Sequence, residues 1–374
     1  MDLKRMGNQT VVFANPPVIL SSYSVVGPKE GQGPLGKTYS KVWNNRLNGE
    51  KSWECAERKM LEEALQGSID QANIPKEDID FMLAGDLLDQ ITTSNFAARQ
   101  MTLPFIGLYS ASSTMALSLA VGSMLIDGGF ARNILIGVSS HYDTAERQFR
   151  SPTEKGLQRA MSDQWTVTGA GSVLLGRSGV GPRITSATIG KVIDFAMSDV
   201  NNIGAAMAPA VSDTILNHLY DMQRKPKDYD LIASGDLGTV GFALAGEVLK
   251  KNGLDMGSWF KDCGVMIYNA NQDAHAGGSG CGCLAVVFAG DILQRIKTGA
   301  LKRVLLVGNG ALYSRTSILQ KDTIPGIGHA VVIEGDLGDL GALGDTALGA
   351  YDGPGLGARE RDAVMERIQG RDCS

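Results

Sequence analysis

Pro75-Lys-Glu-Asp-Ile-Asp-Phe-Met-Leu-Ala-Gly-Asp-Leu87 and Pro226-Lys-Asp-Tyr-Asp-Leu-Ile-Ala-Ser-Gly-Asp-Leu237 read as one segment written twice. Asp80 and Asp230, Gly85 and Gly235, and Asp86 and Asp236 share one offset. A second echo follows in the same order, Arg132-Asn-Ile-Leu-Ile-Gly137 against Arg303-Val-Leu-Leu-Val-Gly308. Repeats this far apart are not a solenoid period. They imply a duplicated α/β half, two copies packed about a pseudo-twofold axis.

Outward from these echoes the chain alternates strand and helix. Apolar spacing predicts a helix over 53–73 that ends before Pro75, then a buried strand over 80–84. A helix over 93–101, a strand over 104–109 and a small-residue helix over 113–126 follow, the last closed by Asp127-Gly-Gly129. Strands over 132–139 and within 165–176 complete one half. The second half replays the order: strand 184–192, helix 206–222, strand 230–233, helix 240–251, strand 263–268, helix 283–298, and strands 303–307 and 330–334. Such alternation predicts mostly parallel sheets covered by helices. The boundaries read as 1–181 for the first half and 182–335 for the second. A Gly-rich acidic tail, 336–374, is expected to be mobile.

Composition limits the function classes. Of the residues, 43% are hydrophobic and 20% charged, as in a soluble globular protein. A net charge of −5 argues against a general nucleic-acid binder, which needs a basic face. Met1 to Thr10 is polar, without the apolar core of a signal peptide, and no run nears the ~18–20 apolar residues of a membrane span. The expectation is a chain kept inside the cell, with peripheral membrane attachment open to it. Cys55, Cys263, Cys281, Cys283 and Cys373 are odd in number and scattered, which fits reduced thiols. Cys281-Gly-Cys283 lacks a second ligand pair at zinc spacing, so no metal site is expected.

The element order, the duplication and the helix from Ser113 to Gly129 together resemble the thiolase superfamily, including the ketoacyl synthases. The resemblance implies a thiolase-like α/β fold layered α/β/α/β/α. It also implies a nucleophilic cysteine at the head of the central helix. Tyr109-Ser-Ala-Ser-Ser-Thr114 opens that helix here, and the nucleophile position falls on Ser112. A thiolate profits from the helix dipole, whereas a serine needs an adjacent base. The family's histidine loop falls on Ala233-Ser-Gly-Asp236, and its Asn- or His-bearing Gly-rich loop on Gly277-Gly-Ser-Gly280. Its late Cys-Gly-Gly loop falls on Gly308-Asn-Gly310. None keeps the catalytic side chain, so the expectation is a thiolase scaffold reused for binding and not an enzyme.

Within that superfamily the chain resembles the stage V sporulation protein AD family (SpoVAD) of spore-forming bacteria, from near the N-terminus to about residue 334. The stretches that carry this are Gly27-Pro-Lys-Glu30, Gly33-Pro-Leu-Gly36, Lys51-Ser-Trp-Glu54, Leu83-Ala-Gly-Asp-Leu-Leu88 and Asp127-Gly-Gly-Phe130. Ser139-Ser-His-Tyr-Asp-Thr-Ala-Glu-Arg-Gln-Phe-Arg150 with Pro152-Thr-Glu154 is the most specific. Thr166-Val-Thr-Gly-Ala-Gly171, Ala206-Met-Ala-Pro209, Ala276-Gly-Gly-Ser-Gly-Cys281 and Thr323-Ile-Pro325 complete the set. The resemblance implies binding of dipicolinic acid, alone or as its calcium chelate, without another cofactor. It implies action with integral membrane SpoVA proteins at the inner spore membrane, moving that ligand in sporulation and germination. Relatives of this fold commonly dimerise, so a homodimer is expected.

A flat dianion wants N–H groups, hydroxyls and a helix N-terminus. Ser112 and Ser113 offer both, or simply cap the helix. Ser139, Ser140 and His141 follow a strand, where a loop faces the cavity in this fold, or His141 is a structural loop residue. Arg147 and Arg150 offer charge-assisted pairing, or bridge Glu146 or Glu154 at the surface. Gly277, Gly278 and Ser279 make either an anion nest or a tight turn, and Ser234 of the Ala233–Asp236 loop is a further candidate ligand. His275 reads as a loop residue. Asp86 and Asp89 are too few for calcium, and the match of Asp86 to Asp236 favours a structural role for both. Two rival functions remain: acyl transfer or thioester hydrolysis by Ser112, with His141 as base, and a structural subunit with a closed cavity.

Overall fold

In the computed structural model, residues 4–149 and 159–335 are described. Arg150, the Pro152-Thr-Glu154 motif and the 336–374 tail lie outside the described residues. The duplication becomes visible strand by strand. The first half contributes β1 (Val18–Val26), β2 (Phe81–Gly85), β3 (Phe105–Gly107), β4 (Asn133–Ser140) and β5 (Gly169–Gly176). The second contributes β6 (Arg183–Ile189), β7 (Leu231–Ser234), β8 (Phe260–Asp262), β9 (Arg303–Ala311) and β10 (Gly326–Glu334). Their spatial orders are β3-β2-β4-β5-β1 and β8-β7-β9-β10-β6, the same path with every label raised by five. The two paths meet where β1 pairs β6, Val18 opposite Arg183.

The quoted echoes do the same work in both halves. The Asp80 carboxylate accepts from the backbone N–H groups of Arg132 and Asn133, at 2.6 and 3.1 Å. The Asp230 carboxylate accepts from Lys302 and Arg303, at 2.7 and 2.9 Å. Each aspartate thereby sets the register of a parallel pair, β2 with β4 and β7 with β9. The expectation of mostly parallel sheets holds for these inner and edge pairs only. β5 and β10 run antiparallel to both of their neighbours, so each half is mixed.

Helices repeat as well. α1 (Trp53–Ala72), α2 (Thr92–Met101) and α3 (Thr114–Asp127) answer to α5 (Ile203–Asp221), α6 (Gly238–Lys251) and α7 (Cys281–Val287). The α7 axis continues through a π turn at Phe288–Ile292 into Leu293–Lys297. α3 is apolar nearly all round, and its polar members Ser118 and Ser123 are small, with Ser123 bonding back to Leu119. Such a helix belongs in a core, and it is buried except along the half-buried stripe of Leu117, Val121, Met124 and Leu125. It packs against β2, β4 and β5 of its own half and against β6, β9 and β10 of the other, while α1 and α5 cover outer faces. Burying side chains such as Met115 and Leu119 contributes roughly 1.5–3 kcal/mol each.

Three elements differ from the sequence reading. β1 was missed because Ser21, Ser22 and Ser24 break its apolar pattern; Ser21 and Ser22 bond to the carbonyls of Ser68 and Ala289. Tyr142–Phe149 forms a short helix, α4, where a loop was expected. The strand expected over 263–268 is a helical turn, Cys263–Met266, because Asp262 accepts from Val265 N and ends β8 early. Among the described residues no helix is long and apolar enough to cross a membrane.

Candidate functional site

The site lies where α3 and α7 begin. The chain leaves β3, turns through Ala111 in the left-handed region (φ 45°), and presents Ser112 one turn before the helix. A non-glycine residue there carries strain that its surroundings must hold. They do so by close approach: a Cβ on Gly310 would stand 2.7 Å from the Ser110 carbonyl oxygen and 2.9 Å from Ala111 Cβ. Thr114 Oγ1 donates to Ala111 O and accepts from Ser110 N, closing the turn. Neither serine caps α3. Ser113 donates back to Ser110 O and Oγ, both 2.6 Å, and is fully buried. Ser112 instead faces the carboxylate of Asp236, where its hydroxyl favours the charged form.

Asp236 is the hub. It follows β7 and is fully buried. Gly280 N and Ser279 Oγ reach its Oδ2 at 2.7 and 3.3 Å, and Asn309 Nδ2 reaches Oδ1 at 2.7 Å. Asn309 in turn accepts from Gly235 N and Asp236 N, which fixes the loop. Burial pushes the Asp236 carboxyl up to about 7, while its hydrogen bonds from Gly280, Ser112 and Ser279 pull the other way. Asp262 beside it is pushed up to about 6, again by burial, against bonds from Ser234, Leu237, Gly238 and Val265.

Above this hub a narrow cavity of about 60 Å³ is lined by Ser112, Ser279, Thr166, Asp163, Gln164, Glu146, Met207 and Ile203. It has room for a few waters. Tyr109, Phe149 and Tyr313 form its aromatic rim, with Phe149 and Tyr313 tilted against each other at 5.4 Å. Gln164 ends a loop that pairs Trp165–Thr166 in parallel with Gly278–Ser279, bringing the Gly-rich loop to the cleft.

Of the described residues proposed for ligand contact from the sequence, Ser112 and Ser279 line this cleft and the others do not. Ser139 is buried against Glu57. Ser140 donates to Val167 O and accepts from Gly282 N, anchoring the head of α7. His141 points away from the cavity: Nε2 bonds the Arg46 carbonyl at 2.9 Å and Nδ1 accepts from Asp143 N. Burial holds its imidazole below the ordinary histidine value, so it is neutral and structural, and it is no base for Ser112. Arg147 pairs with Glu54 at the exposed surface. Ser234 bonds Asp262 and Lys261 O. Gly277 N donates to Ala274 O and Gly280 N to Asp236, so the expected anion nest is used up inside the protein. The Gly278 carbonyl accepts from Gln164. His275 bonds Ala160 O and Asp273. Asp86 accepts from Leu88 N, Ser94 N and Ser94 Oγ, a closed structural site.

Sequence reasoning missed Asp236, Gln164, Asp163 and Glu146. Asp236 carried a signal as the partner of Asp86, which favoured a structural role, and Glu146 lay in the quoted Ser139–Arg150 stretch, where it was read only as a partner for arginine. The four described cysteines are free thiols. Cys281 opens α7 and donates to Ala111 O, and burial pushes its thiol far up, so it supplies no thiolate.

The family model for Stage V sporulation protein AD (SpoVAD) matches residues 7–334. This chain belongs to that family. It is 46% identical over 332 residues to the stage V sporulation protein AD of Bacillus subtilis (strain 168), covering 89% of this chain and 98% of that one. Solved structures with the same fold include the 3-oxoacyl-[acyl-carrier-protein] synthase III of Aquifex aeolicus VF5, at TM-score 0.54 and 14% identity, covering 85% of this chain and 99% of that one. Human mitochondrial 3-ketoacyl-CoA thiolase in complex with CoA aligns at TM-score 0.53 and 12% identity, over 87% and 99%. At such identities the likeness is one of fold, which is thiolase-like. The protein is a sporulation protein on a scaffold shared with condensing enzymes.

Proposed function

We propose that this protein is not an enzyme but a binding protein for dipicolinic acid, free or as its calcium chelate. It would take that ligand in the cleft above Ser112 and pass it to integral membrane SpoVA proteins at the inner spore membrane. Its place is peripheral to that membrane, as a homodimer. The observation that carries the reading is the exchange at the old reaction centre. The nucleophile position holds Ser112, the histidine loop holds Asp236, and the hydroxyl of one faces the carboxylate of the other. The cleft has an aromatic rim, and a flat pyridine ring stacks on such side chains. Tyr109 stands 48% exposed at the mouth, where a side-chain rotation admits a ring.

Calorimetry of the full chain with dipicolinic acid, with and without calcium, tests this. Saturable binding, weakened about tenfold or more by Ser112→Ala or Tyr313→Ala, is the expected result. A well-folded protein that binds in neither condition would leave the closed structural subunit as the better reading.

The pairing of Ser112 with Asp236 also favours a second reading, a serine hydroxyl with a carboxylate base for thioester hydrolysis. Two features weigh against it. Asp236 is held by three further donors as a fixed acceptor, and the cavity offers no imidazole to carry a proton to a leaving group. Steady hydrolysis of an acyl-CoA, lost in Ser112→Ala, would establish it.

A further inference from the structure

Gln164 holds two loops of the cleft together. It lies in the cleft lining, 4% exposed, just before the paired segment Trp165–Thr166. Nε2 donates to the carbonyls of Asp236 and Gly278, at 2.8 and 2.7 Å, and so ties the loop after β7 to the Gly-rich loop that opens α7. The amide packs on Gly238, where φ is +64° and a Cβ would stand 2.8 Å from Nε2 and 3.0 Å from Cδ. Turned over, the amide would set its oxygen against two carbonyl oxygens, so its orientation is fixed. Oε1 is then a buried acceptor with no donor among the described residues. An acceptor in that state costs free energy that an incoming N–H or O–H restores. The charged and titratable groups about it are Asp236 and Asp262 of the hub, Asp163 and Glu146 of the lining, and Tyr109 and Tyr313 of the rim. Arg159 donates to the Gln164 carbonyl and pairs with Glu146, and His275 pairs with Gln164 through the main chain. The thiols of Cys263, Cys281 and Cys283 feel Asp236 as well, and burial keeps all three protonated.

We infer that Gln164 is a specificity-determining residue whose Oε1 accepts a hydrogen bond from the ligand, and that the cleft takes a flat dicarboxylate with one proton on it. The inference rests on the reading of the cleft as a ligand site. A dicarboxylate dianion offers acceptors alone. Set against Oε1 it leaves the amide oxygen unmet, and beside the Asp236 carboxylate it adds like charge. With one carboxyl protonated, the O–H is spent on Oε1 and one negative charge is gone. Carboxyls ordinarily titrate near pH 4, so at neutral pH the ligand takes up a proton as it binds. A primary amide in place of that carboxyl meets the same acceptor at every pH, because its N–H groups do not titrate there.

The test is calorimetry of the full chain at about pH 6, 7 and 8 with two calcium-free titrants, dipicolinate and its monoamide, in which one carboxylate is a carboxamide. Wild type is expected to bind the monoamide about tenfold or more tightly than dipicolinate at the highest pH. Dipicolinate affinity should rise about tenfold for each pH unit of acidification, while monoamide affinity stays nearly level. Gln164→Met, near-isosteric and checked for folding by its thermal transition, should lose most of the preference for the monoamide; the wild-type contrast stands without the variant. Equal affinity for the two ligands across the range, or a preference untouched in folded Gln164→Met, overturns the inference and leaves dipicolinate binding standing. One slope shared by both ligands assigns the proton to Asp236 and overturns it too. Monoamide binding that is lost in Gln164→Met, with dipicolinate bound at no pH, keeps the acceptor and removes the dipicolinate reading. Silence from both titrants on folded protein removes both.

Discussion

Asp86 and Asp236 occupy the same place in the two halves, each just after an inner strand, yet they serve different ends. Asp86 is closed into its own half by Leu88 and Ser94. Asp236 receives Gly280, Ser279 and Asn309 from its own half and faces Ser112 of the other. Asp80 and Asp230, by contrast, make the same two backbone bonds in both halves. A duplicated residue keeps its role where its partners are duplicated with it. It changes role where the partner comes from across the pseudo-twofold axis, and that is where the cleft lies.

The sharpest challenge to this contrast is Asp236→Ala. It strands the buried donors of Gly280, Ser279 and Asn309, so chemical denaturation should show a loss of about 3–5 kcal/mol, at roughly 1–3 kcal/mol for each donor left unmet. Ligand binding should vanish with it. Asp86→Ala should cost less, roughly 1–3 kcal/mol for the donors it leaves unmet. Its ligand affinity, corrected for the folded fraction, should stay near wild type. Equal effects of the two on binding would erase the distinction.

A pH series sharpens the same picture. Burial raises Asp236 to about 7 and Asp262 to about 6, and raises Glu57, which lies against Asp86. Unfolded, these carboxyls titrate near 4. The folded state therefore holds protons that the unfolded state has released. The stability they confer is complete below about pH 4 and is lost as pH rises through about 6 and 7, at up to about 1.4 kcal/mol per pH unit for each group. Urea midpoints should fall between pH 5 and 7.5, with a shallower fall in Glu57→Gln. A rising midpoint over that range would mean these carboxylates are better solvated than their burial implies.

Ser112→Ala is a milder probe of the cross-axis bond. It should weaken ligand binding about tenfold while changing stability by roughly 1 kcal/mol or less, the net worth of one hydrogen bond. Ser112→Cys, with no imidazole in the cleft, should gain no condensing activity in an acyl-transfer assay. The smallest effects belong to the symmetric pair. Asp80→Ala and Asp230→Ala should each cost about 1 kcal/mol for two backbone bonds at a solvent-touched strand end, and the two melting shifts should match.

Much of the architecture was legible because it is periodic. The repeated Pro-Lys-acid and Gly-Asp-Leu segments located β2 and β7, and the apolar run after Ser113 located α3. β1 was not legible, since its serines satisfy themselves on Ser68 and Ala289, carbonyls that only tertiary packing brings near. The site was read less well. Ser112 was placed by counting back along α3 and Ser279 by the position of the family's Gly-rich loop, both local features of the chain. His141 was misplaced because a histidine after a strand reads as an open loop residue, whereas here Arg46 and Asp143 enclose it. Gln164 and Asp163 sit in no repeat and carry no motif of their own, and Glu146, inside the Ser139–Arg150 stretch, read only as a salt-bridge partner.

What the sequence by itself determined was therefore the duplicated scaffold, its family and the loss of the condensing nucleophile, because strand and helix patterns and motif residues are set by near neighbours along the chain. Only the tertiary structure decided that Asp236, not His141, meets Ser112, and that Gln164 leaves an acceptor buried in an acidic cleft. Those relations join β7, α3, α7 and the loop at 163–166 across long stretches of chain, and no local pattern encodes which side chains such packing will oppose.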